Sequence, residues 1–259
     1  LLGPKYSIIK KNKIKKIKKN EFRIVFYSGG SGNLNIFKRI IEKIIENKLR
    51  LKKNTIFQII IGPYSKNYKK IIKISKIYKN LKIIYNPKNI NNILFNSNLL
   101  ISTSGLINLE AAFYRVPTIL FQINKNQETN ILSMQLVGHY LILNKNDFKK
   151  DRKISELILL LIKNYKRIKK LSLNAKFKID GNGIKKIIKN ICKPGKNNFL
   201  KEKIIQKKQS KIKVEKINDE EINHYLISRN LKLNLNNSAN KKKINFLDHY
   251  IWWFSNKKR

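Results

Sequence analysis

Short runs of β-branched and aromatic residues alternate with helical segments along much of the chain. Six such runs have the length of a β-strand, and they cover residues 22–27, 55–61, 81–85, 99–102, 116–122 and 140–143. Between them, apolar residues recur at helical spacing, as they do from Ile36 to Ile45. Strands that alternate with helices in this way form βαβ units, whose strands pair in parallel. The sequence therefore predicts an α/β fold, a doubly wound parallel sheet with helices on both faces.

Turn residues and lysine-rich stretches divide the 259-residue chain into four predicted parts. They are an interdomain connector over residues 1–20, the α/β domain over 21–192, a linker over 193–211 and a partial α+β unit over 212–259. The first residue is Leu1 and no leader sequence follows it. We therefore expect the chain to be a fragment that begins inside a longer protein.

The predicted carboxyl-terminal unit is short. A strand is expected over Ile212–Ile217 and a helix over Asp219–Ile227, and an aromatic cluster, His249–Phe254, lies near the end. These aromatic side chains need more apolar core than so short a segment supplies. We therefore expect this unit to be incomplete.

Cysteine and histidine are scarce in this sequence. Cys192 is the one cysteine, which excludes a disulfide framework and favours a reducing compartment, and the three histidines form no zinc-binding pattern. No metal and no cofactor are therefore expected for the α/β domain. No apolar run approaches the roughly 20 residues that span a bilayer. We expect no membrane span and a cytoplasmic location.

The formal net charge of +43 would suit a nucleic-acid-binding protein, because Lys and Arg neutralise phosphates and release counterions. The lysines are spread from Lys5 to Lys258 without forming a stripe, and many Ile and Asn residues accompany them. Lys, Ile and Asn share A/T-rich codons, so an AT-rich genome would produce this charge without a selected partner. Nucleic acid is therefore a disfavoured partner, and a polybasic nucleic-acid-binding protein is kept as an alternative.

Two glycine-containing loops follow predicted strands. Gly29, Gly30 and Ser31 come after the first strand, and Ser104 and Gly105 come after the fourth. Ligands bind open α/β sheets at the carboxyl ends of the strands, where glycine lets the backbone approach a phosphate and serine adds a hydroxyl donor. The first loop matches neither the GxGxxG fingerprint nor a P-loop. Such a loop is therefore either a phosphate contact or only a turn.

Four more polar residues lie on predicted helices near these loops. Glu110, expected one and a half turns into the helix after the fourth strand, could reach a ribose diol, although a capping or solvated glutamate would look the same. Asn126, Gln127 and Asn130 place three amides across the start of the next helix. Amides both donate to and accept from sugar hydroxyls. N-capping would explain one of these amides but not all three.

One group of segments resembles the nucleotide-sugar half of GT-B fold glycosyltransferases, in particular glycosyltransferase family 28. The group comprises residues 100–112 and 116–118, the three amides at positions 126, 127 and 130, and Gly138. The flanking segments Leu1–Tyr6, Gly29–Ser31 and Asp180–Gly183 are similar to the UDP-sugar hydrolases of pseudaminic acid biosynthesis. The resemblance covers residues 1 to about 192 and implies the carboxyl-terminal, Rossmann-like half of such an enzyme.

The resemblance implies a role for each candidate position. Gly29, Gly30 and Ser31 would face the diphosphate, Ser104 and Gly105 the phosphate or sugar, Glu110 the ribose, and Asn126, Gln127 and Asn130 the sugar. Gly32 stands where the family usually carries an acidic residue. In these hydrolases the amino-terminal half supplies the histidine that acts as base. That missing half is therefore the expected partner, and the catalytic residues of this chain stay unknown.

A second resemblance begins after Ile212. Ile217–Asp219, Ser228–Asn230 and His249–Trp253 are similar to the opening of GNAT-type acetyltransferases that modify amino sugars. The pyrophosphate-binding loop of that family does not follow in this sequence. The resemblance implies that acetyl-CoA would be a cofactor only of a complete carboxyl-terminal unit.

Together the resemblances imply an enzyme that acts on a UDP-sugar substrate. We expect a fragment of a nucleotide-sugar hydrolase that releases UDP from a UDP-diacetamido-trideoxyhexose in nonulosonic (pseudaminic) acid biosynthesis, for flagellin or another surface glycan. Hydrolysis would use a general base that activates water. The alternative is a family 28-like UDP-sugar glycosyltransferase, in which a hydroxyl acceptor replaces water. Either enzyme is expected to be inactive without its amino-terminal half.

Overall fold

A parallel sheet forms the centre of the computed structural model, which describes residues 3–9, 21–30, 32, 34–46, 54–122, 131–192, 217–239 and 241–256. Six strands pair in parallel in the spatial order β3-β2-β1-β4-β5-β6. They are β1 (Phe22–Tyr27), β2 (Thr55–Ile61), β3 (Leu81–Tyr85), β4 (Leu99–Thr103), β5 (Thr118–Gln122) and β6 (Leu141–Asn144). The predicted doubly wound α/β fold is confirmed.

Most strand bounds agree with the sequence-based prediction. The bounds of β1, β2 and β3 are those predicted, and those of β4 and β6 differ by one residue. β5 begins at Thr118 rather than at Val116. Pro117 has no N–H to donate to a ladder, and its carbonyl oxygen accepts the Leu100 N–H at 2.9 Å. The sheet therefore uses Pro117 only as an acceptor at the entrance to the strand.

Eight helices of the described residues lie within or directly after the sheet region. They are α1 (Asn35–Glu46), α2 (Tyr68–Ile77), α3 (Ile90–Phe95), α4 (Ile107–Phe113), α5 (Ile131–Leu136), α6 (Asp151–Lys163), α7 (Tyr165–Leu173) and α8 (Gly183–Cys192). The helix predicted from Gln127 is described only from Ile131 onward. α6 begins at Asp151, three residues before the predicted start at Ile154, and the added residues form a polar first turn.

Alternate strand residues face opposite sides of the sheet, as the pleat of a strand requires. Ile24 and Phe26 belong to the larger core cluster, which also contains buried residues of α1, α2, α6 and α7. Val25 lies in a second cluster with residues of α3 and α4. Helices therefore cover both faces, and the buried strands read as near-continuous apolar runs for that reason.

The carboxyl-terminal segment is helical where it is described and shares the core of the sheet. It contains α9 (Ile222–Arg229), α10 (Lys232–Asn236) and α11 (Phe246–Ser255). Leu247, Tyr250 and Phe254 of α11 are buried in the same cluster as the residues of α6. The aromatic residues thus obtain their apolar surroundings from the α/β region. The strand predicted over Ile212–Ile217 lies outside the described residues except for Ile217, which is in no strand.

Buried hydrogen bonds join this segment to β6. The Tyr250 hydroxyl donates to Asn223 Oδ1 at 2.8 Å and accepts the Ile142 N–H at 3.4 Å. Asn223 Nδ2 donates to the Tyr140 carbonyl oxygen at 2.9 Å. Every group in this set has a partner, so the contact is a satisfied polar network inside an apolar core.

The helices of the described residues are short or carry charged side chains. Among the described residues, none combines the length and the apolar character that crossing a bilayer requires.

Candidate functional site

The strand order reverses between β1 and β4. From β1 the chain moves outward to β2 and β3, then returns to place β4 on the other side of β1. Crossovers on the two sides cover opposite faces, which leaves a crevice at the carboxyl ends of β1 and β4. Tyr27 at the end of β1 pairs with Ser102 of β4, so the loops that follow these strands start side by side. We call this region the carboxyl-edge cleft; its described residues are 28–30, 32 and 103–105.

The structure brings four of the predicted site residues to this cleft: Gly29, Gly30, Ser104 and Gly105. A Cβ placed on Gly29 would lie 4.0 Å from Thr103 Oγ1, which shows how closely the two loops approach. The φ angle of Gly29 is 86°, a conformation that favours glycine. A Cβ at Gly30 or Gly105 would meet no atom within 4 Å. The backbone at these two positions therefore borders open space.

The loop after β2 supports the loop after β1, a contact that the sequence did not predict. The Gly30 carbonyl oxygen accepts a hydrogen bond from the Tyr64 N–H at 2.9 Å. A Cβ placed on Gly62 would lie 2.6 Å from Gly30 Cα. Gly62 is therefore required for the close approach of two backbones. A Cβ at Gly32 would overlap the Ser28 carbonyl oxygen. A side chain at position 32 therefore has no room in this loop conformation.

Two serine hydroxyls at the cleft are buried without a hydrogen-bond partner among the described residues. They are Ser28 Oγ, directly after β1, and Ser104 Oγ, directly after β4. Elsewhere in the described chain buried serines are paired, as Ser97 Oγ is with the Leu94 carbonyl oxygen at 2.7 Å. An unpaired buried hydroxyl is unusual in a folded protein. Ser104 was predicted as a site residue, whereas Ser28 was missed; its position at a strand end next to the switch point was the available signal.

Glu110 lies in the first turn of α4, which begins at Ile107 and not, as predicted, at Leu106. The Glu110 side chain is half-buried, and no side-chain hydrogen bond caps the start of α4. Burial raises the pKa of Glu110, and its charge adds to the burial that raises the pKa values of Tyr27 and Tyr114. These three side chains therefore lie on one side of the sheet, next to β1. No described residue forms an ion pair with Glu110.

The other predicted positions, Ser31, Asn126, Gln127 and Asn130, lie outside the described residues. Their implied contacts with the diphosphate and the sugar stay predictions. The departure at Gly32, by contrast, lies within the described residues, next to Ser28.

A buried series of hydrogen bonds lies behind the cleft. Ser102 Oγ donates to Asn108 Oδ1 at 3.0 Å, and the Asn108 carbonyl oxygen lies 2.7 Å from His139 Nε2. Burial lowers the pKa of His139 to about 4, although the hydrogen bond to Asn108 opposes the shift. The ring is therefore neutral at pH 7, and its Nδ1 has no partner. These hydrogen bonds connect α4 to β4 and to the residues just before β6.

The remaining histidines are distant from the cleft in the fold. His249 is buried on α11 with Nε2 2.8 Å from the Ile222 carbonyl oxygen, and His224 is exposed on α9. Among the described residues, His, Cys, Asp and Glu side chains form no group of three that could hold a metal ion. No histidine is thus in a position to act as a base at the described part of the cleft.

No protein-family model matches the chain, and no curated protein matches it. Several solved structures are similar. A UDP-GlcNAc 2-epimerase from Neisseria meningitidis, bound to UDP-GlcNAc, has a TM-score of 0.48 and 18% identity over 68% of this chain and 45% of that chain. The glycosyltransferase WaaG of lipopolysaccharide biosynthesis has a TM-score of 0.46 and 12% identity over 68% of this chain and 48% of that chain.

 The S. aureus MnaA–UDP co-structure has a TM-score of 0.45 and 14% identity over 70% of this chain and 48% of that chain. The chain spans about half the length of these solved structures.

Proposed function

We propose that the carboxyl-edge cleft binds the diphosphate and ribose of a UDP-sugar. The observation that carries this proposal is the pair of buried hydroxyls, Ser28 and Ser104, which follow the two strands at the switch point and have no partner in the described ranges. Leaving a buried polar group unpaired costs about 1–3 kcal/mol. Phosphate oxygens in the cleft would accept both hydroxyl hydrogens and remove that cost.

Glu110 supports the same ligand. A ribose diol supplies two O–H donors, and an ionised carboxylate supplies only acceptors. The Glu110 carboxylate is half-buried and has no ion-pair partner among the described residues, so it is free to accept those hydrogen bonds. The net charge of +43 would favour the approach of a doubly charged diphosphate over long distances.

Beyond UDP binding, we propose a reaction for the whole enzyme. On the sequence resemblance, the whole enzyme would hydrolyse a UDP-diacetamido-trideoxyhexose in pseudaminic acid biosynthesis, in the cytoplasm, and feed a surface glycan. A base from the amino-terminal half would remove a proton from water, water would attack the anomeric carbon, and UDP would leave. A family 28-like transferase would use the same donor site with a hydroxyl acceptor. The acetyltransferase-like opening of the tail stays a prediction.

Calorimetric titration of the chain with UDP tests the binding proposal. We expect saturable UDP binding that Ser104→Ala and Glu110→Gln each weaken by about tenfold, because each removes a hydrogen bond that involves a charged group. Glu156→Gln is the matched control, since Glu156 is an exposed carboxylate on α6. Its affinity for UDP should equal that of the unaltered chain.

Parallel titrations with DNA at two salt concentrations test the polybasic alternative. Steeply salt-dependent DNA binding without any response to UDP would overturn the proposal in favour of that alternative. For the whole enzyme, release of free sugar in water alone supports hydrolysis. A requirement for an added hydroxyl acceptor would instead support transfer.

A further inference from the structure

A second cavity lies at the opposite edge of the sheet from the proposed nucleotide site. Its volume is about 280 Å³, and we call it the amino-edge cavity. Leu132 and Leu136 of α5 and Tyr140, directly before β6, line one side. Parallel strands all begin at the same edge, so a cavity at the start of β6 is remote from the carboxyl ends of β1 and β4.

The carboxyl-terminal segment forms the other side of this cavity through Glu220 and Glu221. Hydrogen bonds hold it in place: Gln135 Nε2 donates to the Glu220 carbonyl oxygen at 3.2 Å, and Asn174 Nδ2 donates to Glu220 Oε1 at 3.2 Å. The cavity therefore exists only because this segment is docked on the α/β region.

Tyr140 supplies a hydroxyl for which the described residues provide no hydrogen-bond partner. Its side chain lines the cavity and the residue is 5% exposed, yet no described residue forms a hydrogen bond with its hydroxyl. Burial raises the pKa of Tyr140 to about 12, and the charges of Glu220 and Glu221 add to the shift. The hydroxyl therefore stays protonated and lies near both carboxylates.

The charge of the cavity is opposite to that of the molecule as a whole. Two carboxylates line it together with Lys176 and His224, which are both exposed, in a chain with 58 Lys and Arg and 15 acidic residues. Charges more than about 8 Å away are largely screened at physiological salt. A small cation in the cavity would therefore respond mainly to the two carboxylates, while Leu132 and Leu136 offer an apolar wall.

We propose that the amino-edge cavity binds an organic primary ammonium ion. The ammonium group would donate to the Tyr140 hydroxyl oxygen and to the carboxylates of Glu220 and Glu221, and its carbon chain would pack on Leu132 and Leu136. Three N–H donors suit three acceptors on two sides of the cavity. This site is independent of the UDP proposal, because the two share no residue.

Ligand-observed NMR of the full chain with n-butylammonium tests the proposal, and 1-butanol is the neutral probe of similar shape. We expect saturable binding of n-butylammonium and none of 1-butanol. Tyr140→Phe and Glu221→Gln should each weaken the binding by about tenfold, because the first removes a hydrogen-bond acceptor and the second removes the negative charge of another. Glu156→Gln, outside the cavity, should leave it unchanged.

A thermal unfolding measurement keeps the Tyr140→Phe result interpretable. The Tyr140 hydroxyl forms no hydrogen bond with the described part of the chain, so the variant should fold and keep the stability of the unaltered chain. No binding of n-butylammonium, equal binding of 1-butanol, or binding that both cavity variants leave unchanged would each overturn the proposal. UDP titration of the same samples reports separately on the carboxyl-edge cleft.

Discussion

The carboxyl-edge cleft and the docked carboxyl-terminal segment differ in whether their buried polar groups are hydrogen-bonded. At the cleft, Ser28 and Ser104 have buried hydroxyls without partners. Under the docked segment, Tyr250 and Asn223 are just as buried, and each is hydrogen-bonded. A satisfied network stabilises packing, whereas unsatisfied donors leave binding capacity for a ligand. The difference separates a structural contact from a candidate site.

The largest effect is expected from removing the side chain at the centre of the docked segment. Tyr250→Ala should lower the free energy of unfolding by about 3–5 kcal/mol, because it leaves a cavity in the core and breaks the hydrogen bonds to Asn223 and Ile142. Urea unfolding measures this loss. Trp252→Ala is the matched control, since Trp252 is 50% exposed. Equal losses for the two variants would show that the segment is not docked as described.

His139 is an intermediate case, with one ring nitrogen paired and the other unpaired. Its pKa falls from the ordinary value of 6.5 to about 4, so the unfolded chain binds more protons between these pH values. Stability should therefore fall as pH falls through this window, by up to about 3 kcal/mol. Comparing the pH dependence of unfolding with that of His139→Gln isolates this contribution. A ring that titrates near 6.5 by NMR would contradict the buried, neutral assignment.

Asp219 lies in the docked segment and contacts both α7 and α11. Its carboxylate accepts from Arg167 Nη2 at 2.8 Å and from Trp253 Nε1 at 2.9 Å. Asp219→Ala should cost roughly 2 kcal/mol of unfolding free energy, because partly buried donors lose a charged acceptor. The exposed pair of Lys43 and Glu46 provides the comparison. Glu46→Ala should change stability by less than about 0.5 kcal/mol.

The smallest loss of stability should come from the cleft itself. Ser97→Ala removes a paired hydroxyl and should cost about 1 kcal/mol, whereas Ser104→Ala removes an unpaired one, relieves its desolvation cost and should not lower the free energy of unfolding. Thermal unfolding without UDP measures both. A destabilised Ser104→Ala variant would mean that this hydroxyl has a structural partner, and the contrast between the two regions would disappear.

The sequence predicted the strands well because each is a β-branched run bounded by turn residues. It also predicted that Gly29 and Ser104 would follow strands whose carboxyl ends share an edge. It missed the role of Gly62, because a close approach between the loops after β1 and β2 depends on which strands are neighbours.

By itself, the sequence determined the local elements, the parallel class of the sheet and the loops that end at its carboxyl edge, because these follow from apolar periodicity and turn chemistry over short stretches of chain. Only the tertiary structure decided which buried polar groups are paired and where the aromatic tail finds its core. Those outcomes depend on contacts between residues far apart in the chain, such as Tyr250 and Ile142, which no local pattern encodes.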